Sequence, residues 1–553
     1  MSLATPGPVG DSAVEIVLSS GTPPEMIAAA RAIADAIDAA RHPEVIDVVP
    51  AIDRVLVVYD PVRGGDLGGL QDRLAASAAT ARRCDAHGTR HEIPVCYGGP
   101  HGPDLEEVCT LHALDRHDVV RLHTAPDYLV QAIGFVPGFA YLHGLPEPLV
   151  TPRRTTPRAR VAAGSVGIGG AQTGVYPFAT PGGWNVIGRS PAVLFDVARH
   201  PAARLRAGDS VRFVAIDAGD CAAEFARRET AAAGFAAPAP APGLIVADAG
   251  LWTSIQDLGR PGQRAAGLPL SGAVDAPALR LANLLVGNHE AAAGIEFTLV
   301  GPTLVFERDA VVAVAGGEFT GLPRGRPVRI GAGTELALGQ ARSGCRGVLA
   351  VAGGIAVPRV LGSASTYEPA ALGGLSGRRL AAGDRLPVGD PRHGVGIDPV
   401  VAAAVVPDPP HPCTLRIIPA AEAGPGLDAL WRHAWRTSAR SDRMGVRFDG
   451  QPLPPHAVPD RGRFVSRPVL PGAVQLPPDG RPILLLADAQ TMGGYPVIGH
   501  VVAADLRLAA QLRPGHEVRW RRSTLEEAHA AARALAAAIA GASCGDRVAR
   551  SEA

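Results

Sequence analysis

Six arginines, Arg153, Arg154, Arg158, Arg189, Arg260 and Arg443, sit among Pro, Gly and Asp in turn-rich sequence rather than along polar helix faces. A planar guanidinium fork suits phosphate or carboxylate. The turn starting at Gly164, Gly164-Ser-Val-Gly-Ile-Gly-Gly-Ala-Gln-Thr-Gly174, could offer successive backbone N–H groups to an anion, or only permit tight turns. His143, beside aromatic residues, and the carboxylates Asp257 and Asp488 are the candidates for acid or base duty; both aspartates could equally be salt partners of their neighbours. Gln172 and Gln490, with Tyr176 and Tyr495, are read as occupying matching places in two copies of a module. They could hold an amide or ureido group or pin a turn. This set, with ligand-binding candidates Gly164, Gln172, Tyr176, Arg153, Arg158, Arg189, Arg260, Arg443, Gln490 and Tyr495, suits an anionic small molecule and an amide.

The elements that must position these residues are repeated. Val161-Ala-Ala-Gly-Ser-Val-Gly-Ile168 is echoed by Val469-Leu-Pro-Gly-Ala-Val-Gln-Leu476, and Leu205-Arg-Ala-Gly-Asp-Ser-Val-Arg-Phe213 by Leu512-Arg-Pro-Gly-His-Glu-Val-Arg-Trp520. Between them, Ala171-Gln-Thr-Gly-Val-Tyr-Pro177 is paired with Ala489-Gln-Thr-Met-Gly-Gly-Tyr-Pro496. Three matches in one order argue for duplication, with loops absorbing the length differences.

Composition narrows the chemistry. The chain contains no lysine, so all 53 basic residues are arginine, which excludes a P-loop lysine, a Schiff-base lysine and a biotin-carrying lysine within it. A net charge of zero gives no electrostatic case for nucleic acid or an anionic membrane, and no apolar run reaches spanning length. Seven scattered cysteines without a C-x-x-C pair predict reduced thiols, no metal site and a cytoplasmic location. With 66 Gly, 51 Pro and 19% charged residues, turns and short strands should dominate.

Taken in order, residues 1–96 predict a ferredoxin-like α+β subdomain, with strands at 14–18, 45–49, 54–59 and 91–96 and two helices between them. Residues 97–215 predict a β-barrel whose rare aromatics line a pocket mouth or plug an end. Residues 216–242 predict an extended Pro/Ala linker, 243–406 a β-rich subdomain with a capped helix after Asp275, 407–523 a second β-barrel, and 524–553 a C-terminal helix and tail. The expected class is mainly β with duplicated barrels.

Residues 10–215 resemble the allophanate hydrolase subunit 1 family, which includes the B component of 5-oxoprolinase. The resemblance is carried by Gly134-Phe-Val-Pro-Gly-Phe139, Thr151-Pro-Arg-Arg-Thr-Thr-Pro-Arg158, Gln172-Thr-Gly-Val-Tyr-Pro177 and Pro181-Gly-Gly-Trp184. Residues 243–523 resemble the allophanate hydrolase subunit 2 family, which includes the C component of 5-oxoprolinase, through Gln256-Asp-Leu-Gly-Arg260, Ser271-Gly-Ala-Val-Asp275, Ser441-Asp-Arg-Met-Gly445 and Gly493-Gly-Tyr-Pro496. Ala364 and Ala489 stand where the second family commonly has an arginine. The resemblance implies cyclophilin-like barrels in both halves. It also implies ATP-driven, Mg-assisted opening of the 5-oxoproline lactam with a separate partner like the A component of 5-oxoprolinase. Its alternatives are carboxyl transfer from carboxybiotin to urea or a related amide, and a non-catalytic regulator that binds a kinase. A small-molecule substrate is expected in each catalytic case, and a homo-oligomer is compatible with all three.

Overall fold

A computed structural model of the chain describes residues 6–64, 66–81, 88–232, 243–391, 410–458 and 466–548. The N-terminal layer is a four-stranded antiparallel sheet in the order Gly7–Val9, Ala13–Val17, Arg54–Tyr59, Val45–Ala51. The helices Pro23–Ala40 and Leu67–Ala79 bury Ile27, Ile33, Ile37, Leu70 and Leu74 against one face of it. Glu25 opens the first helix by accepting the Thr22 N–H at 2.8 Å, which satisfies an otherwise orphaned donor. The strand expected at 91–96 does not complete this sheet. Arg90–Tyr97 belongs to the first barrel, where Ile93 and Val95 enter the core and the chain runs parallel to Ser210–Ala215. The hairpin strand Gly7–Val9 takes the fourth place instead, so the ferredoxin-like reading is corrected.

Both halves hold a closed seven-stranded barrel. The first runs Arg90–Tyr97, Asn185–Arg189, Ser165–Gly169, Gln172–Val175, Ala140–His143, Tyr128–Ile133, Ser210–Ala215. The second runs Cys413–Pro419, Val497–Val501, Ala473–Gln475, Ile483–Leu485, Gly445–Asp449, Trp435–Thr437, Glu517–Arg522. In each barrel the first and last strands close the wall as its parallel pair, and the strands follow the same chain order. Even an irregularity is shared: Val186 faces Gly167 while Gly188 faces Val166, and Val497 faces Gln475 while Gly499 faces Val474. A bulge of this kind bends the strand at one place in both copies.

That register corrects the middle echo. Gln172 begins a barrel strand, but its counterpart strand is Ile483–Leu485, and Gln490 lies beyond it. The true equivalence is Gly182-Gly-Trp-Asn-Val-Ile-Gly-Arg189 with Gly493-Gly-Tyr-Pro-Val-Ile-Gly-His500. Tyr495 therefore corresponds to Trp184, and Gln172 and Gln490 do not occupy matching places. The two segments share Gln-Thr and Tyr-Pro, but strand order, not residue type, decides equivalence.

Between the barrels, residues 243–391 build a four-stranded and a five-stranded sheet around Leu244, Ile255, Phe297, Phe306 and Val314. The helix Ala276–Leu285 covers the opposite face of the five-stranded sheet, with the Asp275 carboxylate accepting the Ala278 N–H at 3.0 Å as its cap. The segment expected to be an extended linker starts as the helix Ala218–Ala232, because the alanine-rich stretch before the prolines favours helix; its Pro/Ala part lies outside the described residues.

The halves interlock. Leu470 of the second barrel packs on Ala13, Val49 and Leu56 of the N-terminal sheet. From the C-terminal helix Leu525–Val548, His529 places Nε2 3.0 Å from the Tyr59 hydroxyl and 3.2 Å from the Asp11 carbonyl. Among the described residues no helix is long and apolar enough to cross a membrane.

Candidate functional site

On the first barrel, alternation along the wall sends Leu142 inward and leaves Tyr141 and His143 on the outer face. A register irregularity falls at Gln131, and Gln172 Nε2 donates to its Oε1 at 2.8 Å. Beside them Phe135, Phe139, Tyr141, Tyr176 and Trp184 form an edge-to-face aromatic cluster, with Phe139 at 5.0 Å from Tyr141 and 5.5 Å from Trp184. Arg153 is exposed and lies over the Trp184 ring at 6.0 Å. The Gly134-Phe-Val-Pro-Gly138 turn brings the backbone close to the second half: Met492, 2% exposed, joins the aromatic cluster from across the junction.

This junction is polar as well as aromatic. Burial pushes the Tyr141 hydroxyl up to about 12, with the Ser466 side chain and Arg153 acting in the opposite sense. Burial likewise pushes Tyr176 up to about 12. Gln475 Nε2 and Thr491 Oγ1, both on residues 1% exposed, have no hydrogen-bond partner among the described residues. Buried polar atoms are rarely left unpaired, so these point to a ligand or ordered water. Both lie against glycine backbone: a Cβ on Gly493 would come within 2.4 Å of Gln475 Nε2, and one on Gly134 within 3.1 Å of Thr491 Oγ1. Gln490, half-buried, immediately precedes Thr491, and Tyr495, 46% exposed, follows Gly493 and Gly494.

A second polar group lies deep in the C-terminal half. Asp257 accepts from the Ser363 and Ser365 hydroxyls at 2.6 and 2.5 Å and from the N–H groups of Gly259 and Ala364 at 2.8 and 2.7 Å. Asp488 accepts from Ser271 Oγ at 2.5 Å and Arg443 Nε at 2.7 Å. Arg443 also pairs with Glu296 and donates to the Gly272 carbonyl at 2.7 Å. Burial alone would lower its pKa, but Asp488 and Glu296 outweigh that and hold it above the ordinary range. Arg260 is fully buried and donates to the carbonyls of Val360 and Ser365, while its Nη1 has no partner among the described residues; burial lowers its pKa. These four predicted residues thus converge on one seam that locks the second barrel to the central sheets, away from solvent. Asp257 and Asp488 are held there by serine hydroxyls, backbone N–H groups and Arg443, the salt-partner arrangement that the sequence also allowed.

The remaining candidates sit apart. Arg158 grips Asp104 with two bonds of 2.8 and 2.6 Å, and Arg154 reaches the same carboxylate at 3.1 Å. Arg189 donates to the Ala163 carbonyl and stacks over Phe225 at 4.3 Å. Gly164, at φ 83°, exchanges backbone bonds with Tyr176 and Ser190, so its N–H is already used and the turn is not an open anion nest at that residue. Tyr176 and Arg153 are both placed against Trp184, while Gln172 pairs with Gln131. Gln131, Tyr141, Ser466, Gln475 and Thr491 escape sequence reasoning; a glutamine inside the apolar run Ala473-Val-Gln-Leu476 is the one available signal.

Similarities to known proteins divide the chain in the same way. Residues 5–205 match the family model for the carboxyltransferase domain, subdomains C and D, and residues 266–522 the model for subdomains A and B. The C component of 5-oxoprolinase from Escherichia coli (strain K12) is 40% identical over 295 residues, covering 52% of this chain and 93% of that protein. The B component of 5-oxoprolinase from Escherichia coli O157:H7 is 46% identical over 179 residues, covering 32% of this chain and 82% of that protein. The crystal structure of TTHA0988 superposes with a TM-score of 0.77 at 35% identity, covering 92% of this chain and 99% of that one.

Proposed function

Because the chain belongs to the carboxyltransferase-domain family, with a half similar to the B component of 5-oxoprolinase joined to a half similar to the C component, we propose that it is the fused B and C component of an ATP-dependent 5-oxoprolinase. In this reading it opens the 5-oxoproline lactam to glutamate together with a separate A-type component. The observation that carries it is the order and completeness of the two similarities: 82% of a B component followed by 93% of a C component within one polypeptide.

A lactam resists hydrolysis because its nitrogen lone pair is delocalised into the carbonyl. Bound ATP, with Mg, would supply a phosphoryl group to the carbonyl oxygen with release of ADP; water adding to that carbon would then let the C–N bond break, its electron pair and a proton going to nitrogen, and phosphate leave as the new carboxylate forms. The junction face is the proposed site. The paired amides of Gln131 and Gln172 and the unpartnered Gln475 and Thr491 groups suit the lactam N–H and carbonyl. Arg153, exposed over Trp184, suits the substrate carboxylate. His143, on the Tyr141 face, is the residue proposed to move the proton.

The test is to combine the purified chain with an A-type component, ATP and 5-oxoproline, and to measure glutamate. Glutamate no greater than either protein yields alone refutes the reading. A carboxyltransferase reading is favoured by the name of the matching family models; it requires carboxybiotin from another chain, since no lysine here can carry biotin. It expects carboxylated urea when free carboxybiotin replaces ATP.

A further inference from the structure

Cys96 and His101 are five residues apart and Cys221 lies 120 residues further on, so the sequence alone does not suggest a site. The fold brings them together from three separate segments. Cys96 is the penultimate residue of the strand Arg90–Tyr97, His101 ends the short turn Gly99–His101, and Cys221 lies near the start of the helix Ala218–Ala232. Gly98 and Gly99, at φ 70° and 54°, reverse the chain so that His101 returns toward the strand it has just left. One ligand atom from each of the three residues lies within 4.8 Å of the others.

We propose that Cys96, His101 and Cys221 form a zinc site, with solvent as the fourth ligand, that clamps the helix following the first barrel to the barrel wall. Two thiolates and an imidazole make a donor set suited to zinc and unsuited to magnesium or calcium. In a tetrahedral zinc centre such donors stand roughly 3.3–3.8 Å apart, given metal–ligand bonds of about 2.0–2.3 Å. The observed cluster needs only a small inward adjustment of its side chains. Both cysteines are buried, at 6% and 0% exposure, whereas His101 is half-buried and leaves an approach for the ion and its water.

Charge also fits. Two thiolates and Zn²⁺ sum to zero, which removes the penalty of burying an anion pair; the thiol protons leave to solvent on binding. Arg189, paired in register with Cys96 and stacked on Phe225 of the same helix, is the neighbouring cation and braces that helix independently of the metal. Without a metal, burial pushes the Cys221 thiol up, and Cys96 adds to that.

The full-length chain, purified under reducing conditions and stripped with a chelator, is titrated with Zn²⁺ against a chromophoric competitor and separately with Co²⁺. The expected result is one equivalent per chain and a thiolate-to-cobalt charge-transfer band. Cys96→Ser and Cys221→Ser should each lose most of that band, while His101→Ala should weaken binding by at least about tenfold, the loss that even an outer-shell partner produces. Circular dichroism of the metal-free variants separates lost binding from lost folding, and His101→Ala at a half-exposed position is the variant least exposed to that ambiguity. Absence of stoichiometric binding overturns the proposal, as does binding unchanged in folded Cys221→Ser. Failure of the chain to take up Zn²⁺ with both Cys96 and Cys221 verified as reduced thiols also overturns it.

Discussion

Gly134→Ala tests whether the two halves are fitted to each other at the proposed site. Gly134 does not occupy a positive-φ conformation, so alanine is permitted by its backbone, and any effect arises from contact. The new Cβ would lie 1.9 Å from Met492 Cγ, 2.6 Å from Met492 Cβ and 3.1 Å from Thr491 Oγ1. Those distances are too short for van der Waals contact, so the junction must open. Overpacking of this kind destabilises by about 1–3 kcal/mol. Met492→Ala alone leaves a cavity among Phe139, Tyr141 and Trp184 and destabilises by about 2–5 kcal/mol, the range for truncating a buried methionine. The double variant should fall short of the sum, because the truncation removes the 1.9 Å clash with Met492 Cγ although the 2.6 Å approach to the retained Cβ persists; a coupling of about 0.5–3 kcal/mol is expected for residues in contact. Thermal and urea midpoints of the four proteins measure this, with glutamate formation as a parallel reading of the site. Strict additivity of the two changes would refute the fitted junction, since the halves would then meet differently from the arrangement described.

Other predictions concern the barrels and the seam. Arg443→Met strands the buried Glu296 and Asp488 carboxylates and should destabilise by about 3–5 kcal/mol, and Arg443→Lys should rescue little because one ammonium cannot reproduce the fork; denaturant midpoints decide it. His123, wedged in the first barrel between the Tyr97 and Thr173 hydroxyls, is pushed by burial to about 3. The folded state therefore binds this proton less readily than the unfolded chain. Its contribution is fully present above the ordinary histidine range and is lost as pH falls toward about 3, by about 1.4 kcal/mol per pH unit; His123→Asn should flatten that part of a stability–pH profile. Gln172→Ala and Arg153→Ala should lower 5-oxoproline turnover at least about tenfold while shifting stability by under about 1 kcal/mol, and a matched loss of stability would assign them to packing instead.

How far the sequence carries the fold depends on whether a signal is local. The duplication is legible because Gly164 and Gly472, at φ 83° and 94°, and Gly208 and Gly515, at φ 86° and 83°, are turn positions that both copies need. The Asp275 cap is legible for the same reason. Arg90–Tyr97 is drawn to the wrong sheet because its partner, Ser210–Ala215, lies beyond every other strand of that barrel, and alternation reports burial without naming the neighbour. The arginines show the corresponding limit for a site. Their turn-rich setting correctly marks side chains that are held, yet Arg158, Arg260 and Arg443 are held by Asp104, by backbone carbonyls and by Glu296 and Asp488. An arginine fork matches a protein carboxylate as well as a substrate's, and only the third dimension tells them apart.

The interlocking of the halves changes what their covalent fusion does. Were the Pro/Ala stretch the only connection, the face around Gln172 and Trp184 would meet Thr491 and Met492 only part of the time. Instead the N-terminal sheet is packed on Leu470, Asp47 accepts the Arg264 N–H at 3.0 Å, and Arg264 donates onward to the Val469 carbonyl. Burial pushes Asp47 up to about 6, with Arg264 opposing, as suits a carboxyl inside the interface rather than on a solvated rim. A seam with apolar packing, a buried Asp47–Arg264 contact and the C-terminal helix closing over Asp11 fixes the register of the two modules by itself. The fused backbone then acts mainly on association, converting a bimolecular encounter of B-like and C-like parts into an intramolecular one, while the geometry of the shared site is set by the seam.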